Sequence, residues 1–232
     1  MIIKILGTRG EIDSSAPYHS RHSGVLIDDQ ILLDCGEVEF LEYDPKYILI
    51  THLHPDHAFF VRSGQNQPVE IPIYAPEKYK GQKITVTKRS FHIDGYKITP
   101  IPTIHSLKVK SNAYLITHKK KKILYTGDMI WIEKKYHTLL HDCDLVITEA
   151  SFMKKGGMIR RNKKTGKIFG HTGVPNLVHL FKQFTDVIVL IHFGSWFYDD
   201  IKKVRRKINE LARENDVEII VGYDGLDLVV DK

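Results

Sequence analysis

The stretch ILITHLHPDHAFF, residues 48–60, places three histidines and an aspartate within six positions: His52, His54, Asp56 and His57. It opens on an apolar run that reads as the end of a buried strand. A structural histidine needs one hydrogen-bond partner. Four ligand-type side chains at alternating and adjacent positions are arranged to hold something. On an extended segment alternate residues face one side, so His52 and His54 point together at one metal. Asp56 and His57 begin a turn or helix and point elsewhere, which suits a second metal. Imidazole nitrogen and carboxylate oxygen are good zinc ligands, and a catalytic zinc keeps one position open for water. Two metals a few ångströms apart would share that water and lower its pKa.

The chain has 232 residues, enough to bury one sizeable core, and a single domain over 1–232 is expected. With 42% hydrophobic and 27% charged residues it falls among globular chains and not disordered ones. The apolar runs, such as VIVLI at 187–191, are too short to span a bilayer. MIIKILGTRG lacks an apolar region long enough for a secretory signal. Two cysteines, Cys35 and Cys143, make no disulfide framework. A cytoplasmic protein without membrane contact is the expectation. A formal charge of +6 permits an anionic partner without demanding one.

Strands dominate the first half: IIKIL (2–6), GVLID (24–28), ILLDC (31–35), YILIT (47–51), IPIYA (71–75), KITVT (83–87), YKITPIPT (96–103), NAYLIT (112–117) and KKILYTGD (121–128). The pair at 24–35 turns through Asp-Asp-Gln as a tight hairpin. The second half alternates strands with helices. CDLVITEAS (143–151), DVIVLIHFG (186–194), EIIVG and LDLVV are strands. VPNLVHLFKQF (174–184) and DDIKKVRRKINELAREN (199–215) carry helical periodicity, with Asp199 and Asp200 at the start of the latter as cap and first-turn acid.

Three single polar residues end apolar runs downstream of the opening motif: His105, Asp128 and His192. Loops at such points carry function on a rigid scaffold. Residues 152–170, FMKKGGMIRRNKKTGKIFG, hold seven lysines and arginines and no acid, with glycines that make the segment mobile. A basic loop of this kind suits gripping phosphates without reading sequence.

THLHPDH matches the H-x-H-x-D-H motif of the metallo-β-lactamase superfamily, and the resemblance runs in order through LLDCG, IHS, TGD and IHFGS. It implies an α/β (α+β) four-layer αββα sandwich. It implies that His52, His54 and His105 bind one divalent metal, that Asp56, His57 and His192 bind another, and that Asp128 bridges them. Asp34 would orient a ligand histidine. Zinc suits this donor set, with manganese or iron as alternatives. The opening LGTRGEIDSSAPYHSRHSGVLID, with TEASF, GHTGVPNL and LIHFGSWF, resembles ribonuclease Z and its phosphodiesterase relatives. That branch implies a proton-relay pair, Glu149 and His171, with Asp56 also at the catalytic centre. The basic segment 152–170 lies between the two relay residues.

The chain departs from that branch at three places. His105 to Asp128 leaves only a hairpin where common ribonuclease Z forms carry a tRNA-clasping arm. Thr172 and Gly173 replace a Ser-Thr pair, and Gly194 stands where a serine is usual. The expected function is therefore a two-metal hydrolase, a phosphodiesterase acting on a cyclic or small phosphodiester or on RNA. The expected partners are an anionic substrate, RNA through 152–170, and by analogy with relatives a second copy of the chain. The rival readings are a lactonase or thioesterase of the same fold, and a non-enzymatic metal-dependent nucleic-acid-binding module.

Overall fold

The structure, a computed structural model, describes residues 1–231. The first strands are β1 (Ile2–Gly7), β2 (Gly24–Ile27), β3 (Ile31–Leu33), β4 (Tyr47–Leu49), β5 (Ile73–Ala75) and β6 (Ile84–Val86). Then come β7 (Phe91–Ile93), β8 (Tyr96–Ile104), β9 (Asn112–His118), β10 (Lys121–Tyr125), β11 (Trp131–Ile132) and β12 (Leu145–Ala150). The chain continues through β13 (Met158–Arg161), β14 (Ile168–His171), helix α1 (Val174–Phe181), β15 (Val187–Phe193), helix α2 (Ile201–Asn215), β16 (Glu218–Val221) and β17 (Leu226–Val229). One sheet runs β17-β1-β2-β3-β4-β5-β6, and the second runs β11-β8-β9-β10-β12-β15-β16 with β7 paired to β8. The turn from β2 to β3 is possible because Asp28 and Asp29 accept left-handed backbone, φ 47° and 52°. Short acidic side chains tolerate that region better than most.

Alternation sets the layers. Ile3, Ile5, Val25 and Leu49 from the first sheet meet Ile98, Ile116, Tyr125, Ile147 and Val189 from the second in a shared core. The second sheet's other face buries Val146, Ile188 and Leu190 under Val174, Leu177 and Phe181 of α1 and Val204 and Ile208 of α2. The outer face of the first sheet, with Leu32 and Ile48, is covered by Phe40, Phe59 and Phe60. These phenylalanines sit on two 3₁₀ helices, Val38–Tyr43 and Phe59–Val61, so this layer of the sandwich is built from tight turns where α-helix was expected. The phenylalanines fill the layer without the length a helix would need.

Three further differences from the sequence reading have local causes. The first helix stops at Phe181 and not at Phe184, because Phe184 and Thr185 turn back to the carbonyl of Phe181. The second begins at Ile201, with Asp200 as its cap accepting from Lys203 N–H at 2.9 Å. Within the segment read as a mobile loop, β13 and β14 pair as a hairpin over 158–171, and Asn162 closes its turn by accepting from the N–H groups of Lys164 and Thr165. Asp200→Ala removes a cap and is expected to cost about 1 kcal/mol, read from the urea midpoint. An unchanged midpoint would mean that the cap is idle.

Direction of the strands decides where function gathers. β3 and β4 run parallel, as do β10, β12 and β15, and β8 is antiparallel to β9, which is antiparallel to β10. The carboxyl ends of β8, β10, β12 and β15 therefore open at one edge of the second sheet. In α/β sheets that edge is where ligands bind.

Candidate metal centre

The loop after β4 carries His52 and His54, and the turn behind them is fixed by His57 N–H and Ala58 N–H, which both donate to the carbonyl of His54. Asp56 and His57 are thereby turned away from His52 and His54. His105 follows β8 and Asp128 follows β10. Gly127 precedes Asp128 at φ 57°, and a Cβ there would lie 2.6 Å from Thr51, so the turn that presents Asp128 requires glycine. His192 is the extra residue of a bulge between β12 and β15, where Glu149 pairs with Ile191 and Ala150 with Phe193. Its φ of 54° is uncommon for histidine, and the bulge re-aims its ring.

These seven residues converge in two groups that share Asp128. In the first, His52 Nε2 lies 3.0 Å and His105 Nε2 3.3 Å from His54 Nδ1. Asp128 Oδ2 stands 3.7 Å from His52 Nε2 and 3.9 Å from His105 Nε2. In the second, Asp128 Oδ1 is 3.3 Å from His57 Nε2 and 3.4 Å from His192 Nδ1. Asp56 Oδ2 lies 2.8 Å from His192 Nε2 and 3.6 Å from His57 Nε2. The two carboxylate oxygens of Asp128 thus face different groups.

The donor set fits divalent cations. His57 Nε2 and Asp128 Oδ1 are buried polar atoms without a hydrogen-bond partner, a costly arrangement that a cation between them would relieve. The electrostatics agree. Burial holds His52 well below the ordinary histidine range, and holds His54 down to about 4, so both are neutral and ready to ligate. Burial would also raise Asp128 and Asp56, but the neighbouring imidazoles win. His192, His57 and His171 hold Asp128 ionised, and His57 and His192 hold Asp56 ionised.

The surrounding polar atoms orient this set. Asp34, fully buried at φ 55°, accepts from His57 Nδ1 at 2.7 Å, from Thr51 N–H at 2.7 Å and from Tyr125 O–H at 2.9 Å. His105 Nδ1 donates to the Gly170 carbonyl at 3.1 Å, and Gly170 N–H donates to the His105 carbonyl at 2.7 Å. Gly170 stands at φ 119° with Met158 O where a Cβ would go, 2.1 Å away, so the close pairing of β14 with β13 at this point requires glycine. Glu149 and His171 meet beside the cluster: His171 Nδ1 lies 2.8 Å from Glu149 Oε2 and 3.9 Å from Asp128 Oδ2. Glu149 Oε1 also accepts from Met129 N–H at 2.7 Å, which ties it to the turn after Asp128. Burial opposes charge on His171, but Glu149 and then Asp128 outweigh it and raise its pKa to about 9. Ser151, which the sequence reading passed over, places its Oγ 3.2 Å from His171 Nδ1 and 3.0 Å from His192 Nδ1. Its only sequence signal is its place directly after Glu149-Ala150.

A cavity of about 290 Å³ opens over the cluster, lined among others by His54, Asp56, Asp128, His171 and His192. A larger groove of about 1090 Å³ reaches His105 and carries Lys88, Lys108, Lys110, Arg161 and Lys167 against Glu77 and Glu133. Only Arg161 and Lys167 of the groove's cations come from the basic hairpin. Among the described residues no helix is long and apolar enough to cross a membrane. Cys35 and Cys143 are buried free thiols.

A family profile described as the β-lactamase superfamily domain matches residues 41–193, about two thirds of the chain, and the chain belongs to that superfamily. It is a hydrolase of the metallo-β-lactamase fold, with a His/Asp cluster suited to divalent metal. The fold is shared with YhfI from Bacillus subtilis, at TM-score 0.72 and 19% identity over 98% of both chains. A diphosphatase of the PhnP family superposes at TM-score 0.69 and 18% identity, covering 98% of this chain and 96% of its own. Human tRNase Z, short form, does so at TM-score 0.67 and 19% identity over the full length of both. Among curated protein sequences no relative matches.

Proposed function

We propose that the protein is a metal-dependent phosphodiesterase, and the observation that carries this is the Glu149–His171 pair. It sits at the cluster, 3.9 Å from Asp128, and His171 turns Nδ1 to Glu149 at 2.8 Å. His52, His54, His105 and Asp128 would hold one cation, and Asp56, His57, His192 and Asp128 a second, with zinc the metal best suited to these donors. Such cations supply charge neutralisation at the phosphoryl group and a water made acidic enough to attack it.

The chain's own residues do the rest. Glu149 orients the His171 ring and favours its protonated form, so Nε2–H is available to the leaving oxygen of a phosphodiester. Ser151 bridges His171 and His192 and holds their rings in register. The groove cations beside His105 are placed to hold further phosphates flanking the scissile one. Thioester hydrolysis needs no such acid, because a thiolate leaves without protonation, whereas the alkoxide expelled from a phosphodiester is a poor leaving group that a carboxylate-held imidazolium assists. The diphosphatase of the PhnP family and human tRNase Z share this fold and are named for reactions at phosphate.

The test is a panel on the zinc-loaded protein: bis-p-nitrophenyl phosphate, a p-nitrophenyl thioester and an acyl homoserine lactone. Phosphodiester turnover exceeding both others is expected. Faster turnover of thioester or lactone would overturn the reading in favour of that branch. Salt-sensitive RNA binding with no turnover of any substrate would favour a binding module.

Asp34→Asn is expected to weaken metal affinity by about 10- to 100-fold, because it disturbs the partner that orients His57. Competition with a chromogenic chelator reads it. Unchanged affinity would mean that Thr51 and Tyr125 hold the site without the carboxylate.

A further inference from the structure

A second concavity is built from parts of the chain that the metal cluster does not use. Pro17, Tyr18 and His19 from the loop before β2, Ile201 and Arg205 of α2, and Tyr223 from the turn before β17 line an open concavity of about 390 Å³. None of these residues lines the cavity over the metal cluster. The volume falls within the range of small-molecule sites, about 300–1,000 Å³.

The walls are aromatic and held open. Tyr18 and Tyr223 meet edge to face with ring centroids 6.4 Å apart. Tyr18 is 71% exposed and stands at φ 65°. A bulky residue pays for that backbone conformation, which is a genuine outlier for it. Its carbonyl accepts from Asp224 N–H at 2.7 Å, so its backbone is anchored to the turn that carries Tyr223.

The floor is polar and its hydrogen positions can be assigned. Thr8 Oγ donates its one proton to Asp224 Oδ1, 2.8 Å away, and so it must accept from His19 Nδ1 at 3.1 Å. Burial keeps His19 neutral, with its pKa lowered to about 4. With the proton on Nδ1, Nε2 is left as an acceptor on a residue that is only 3% exposed. Among the described residues its hydrogen-bond partner is Arg205 Nη2, at a long 3.5 Å. Arg205 makes no ion pair with a carboxylate among the described residues. The floor therefore presents a weakly satisfied hydrogen-bond acceptor directly beside a guanidinium without a carboxylate partner, under two tyrosine rings.

We propose that this cavity binds the base of a mononucleotide, stacked on the tyrosines, with a base N–H donating to His19 Nε2 and the neighbouring base acceptor taking a hydrogen from Arg205. Each common nucleobase offers an N–H or NH₂ donor next to an acceptor on one edge, and every base has a face to stack. An aliphatic chain would leave the guanidinium with only its long contact to Nε2, which is costly once water is displaced. The cavity has room for one base and its sugar, which favours a free nucleotide over a strand. His19 packs on Phe193 and Phe197, centroids 5.6 and 4.7 Å away, so the cavity lies one aromatic layer behind His192.

The test is calorimetric titration of the zinc-loaded protein with AMP, GMP, CMP and UMP, and separately with a short single-stranded oligonucleotide. Wild type, Arg205→Ala, Tyr223→Ala and His171→Ala are compared. The two cavity side chains are exposed, and unchanged thermal melting checks that both variants fold. At least one mononucleotide is expected to bind wild type and His171→Ala alike, and about tenfold or more weaker to each cavity variant. No binding of any mononucleotide up to millimolar concentration would overturn the proposal. Equal affinity across wild type and both cavity variants would also overturn it, by placing the nucleotide elsewhere. Binding of the oligonucleotide alone, or dimerisation that Tyr223→Ala abolishes without nucleotide binding, would give the cavity to a strand or to a second copy and reject a mononucleotide.

Discussion

Asp128→Asn is expected to lower metal content in both halves of the cluster and to cut phosphodiester turnover by about a thousandfold, equivalent to about 4 kcal/mol of transition-state stabilisation. Asp128 is the one side chain common to both ligand groups, with Oδ1 facing His57 and His192 and Oδ2 facing His52 and His105. The amide nitrogen of asparagine cannot ligate a cation, so one side loses its oxygen. The other keeps a neutral one in place of a carboxylate. His54→Ala removes a ligand from the first group only, yet loss of that cation also removes the charge that the second cation shares through Asp128. Turnover is expected to fall to background there too. Metal analysis by plasma emission, with turnover measured on the same samples, separates the two variants. Full metal content and activity in Asp128→Asn would mean that the two groups do not depend on a common carboxylate.

Glu149→Gln and His171→Ala are expected to leave metal content unchanged and to lower turnover by about 10²- to 10⁴-fold, the usual range for a lost general acid. The pH profile gives the sharper reading. A general acid works in its protonated form, so its limb of the rate profile is flat at low pH and falls as pH rises through the His171 pKa. Glu149 and Asp128 raise that pKa, to about 9 in the chain alone, and bound cations would draw it back down. Glu149→Gln removes the first-named raising influence, so the falling limb should move to lower pH. A limb that stays in place in Glu149→Gln would show that His171 is not the titrating acid.

Much of this site is legible in the sequence because its ligands either crowd together or end strands. His52, His54, Asp56 and His57 announce themselves by spacing, and His105, Asp128 and His192 each stand alone after an apolar run. Their meeting depends on strand direction and order: β8 and β10 both run antiparallel to β9 between them, and β15 lies parallel to β12. What orients the ligands is less visible. Thr51 reaches Asp34 from the loop after β4 and Tyr125 from β10, and the Gly170 carbonyl reaches His105 across 65 residues. Backbone groups carry no residue-type signal. The hairpin at 158–171 was hidden by its glycines and lysines, which read as a loop because its pairing is closed by a turn and by contact with His105 and not by an apolar face. The outer layer over the first sheet escaped for a similar reason: six- and three-residue 3₁₀ helices are too short to show a period. The tyrosine-lined cavity joins Tyr18, Arg205 and Tyr223, which no local pattern connects.

The most direct test of the account is a zinc titration of chelator-treated protein, with hydrolysis of bis-p-nitrophenyl phosphate followed at each addition in wild type and His171→Ala. The account predicts that wild-type turnover is absent without metal and rises to a plateau at two equivalents per chain, one for each ligand group. It predicts that His171→Ala takes up the same two equivalents and stays slow. Undiminished turnover in the metal-free wild type, or equal turnover in the variant at full loading, would contradict it.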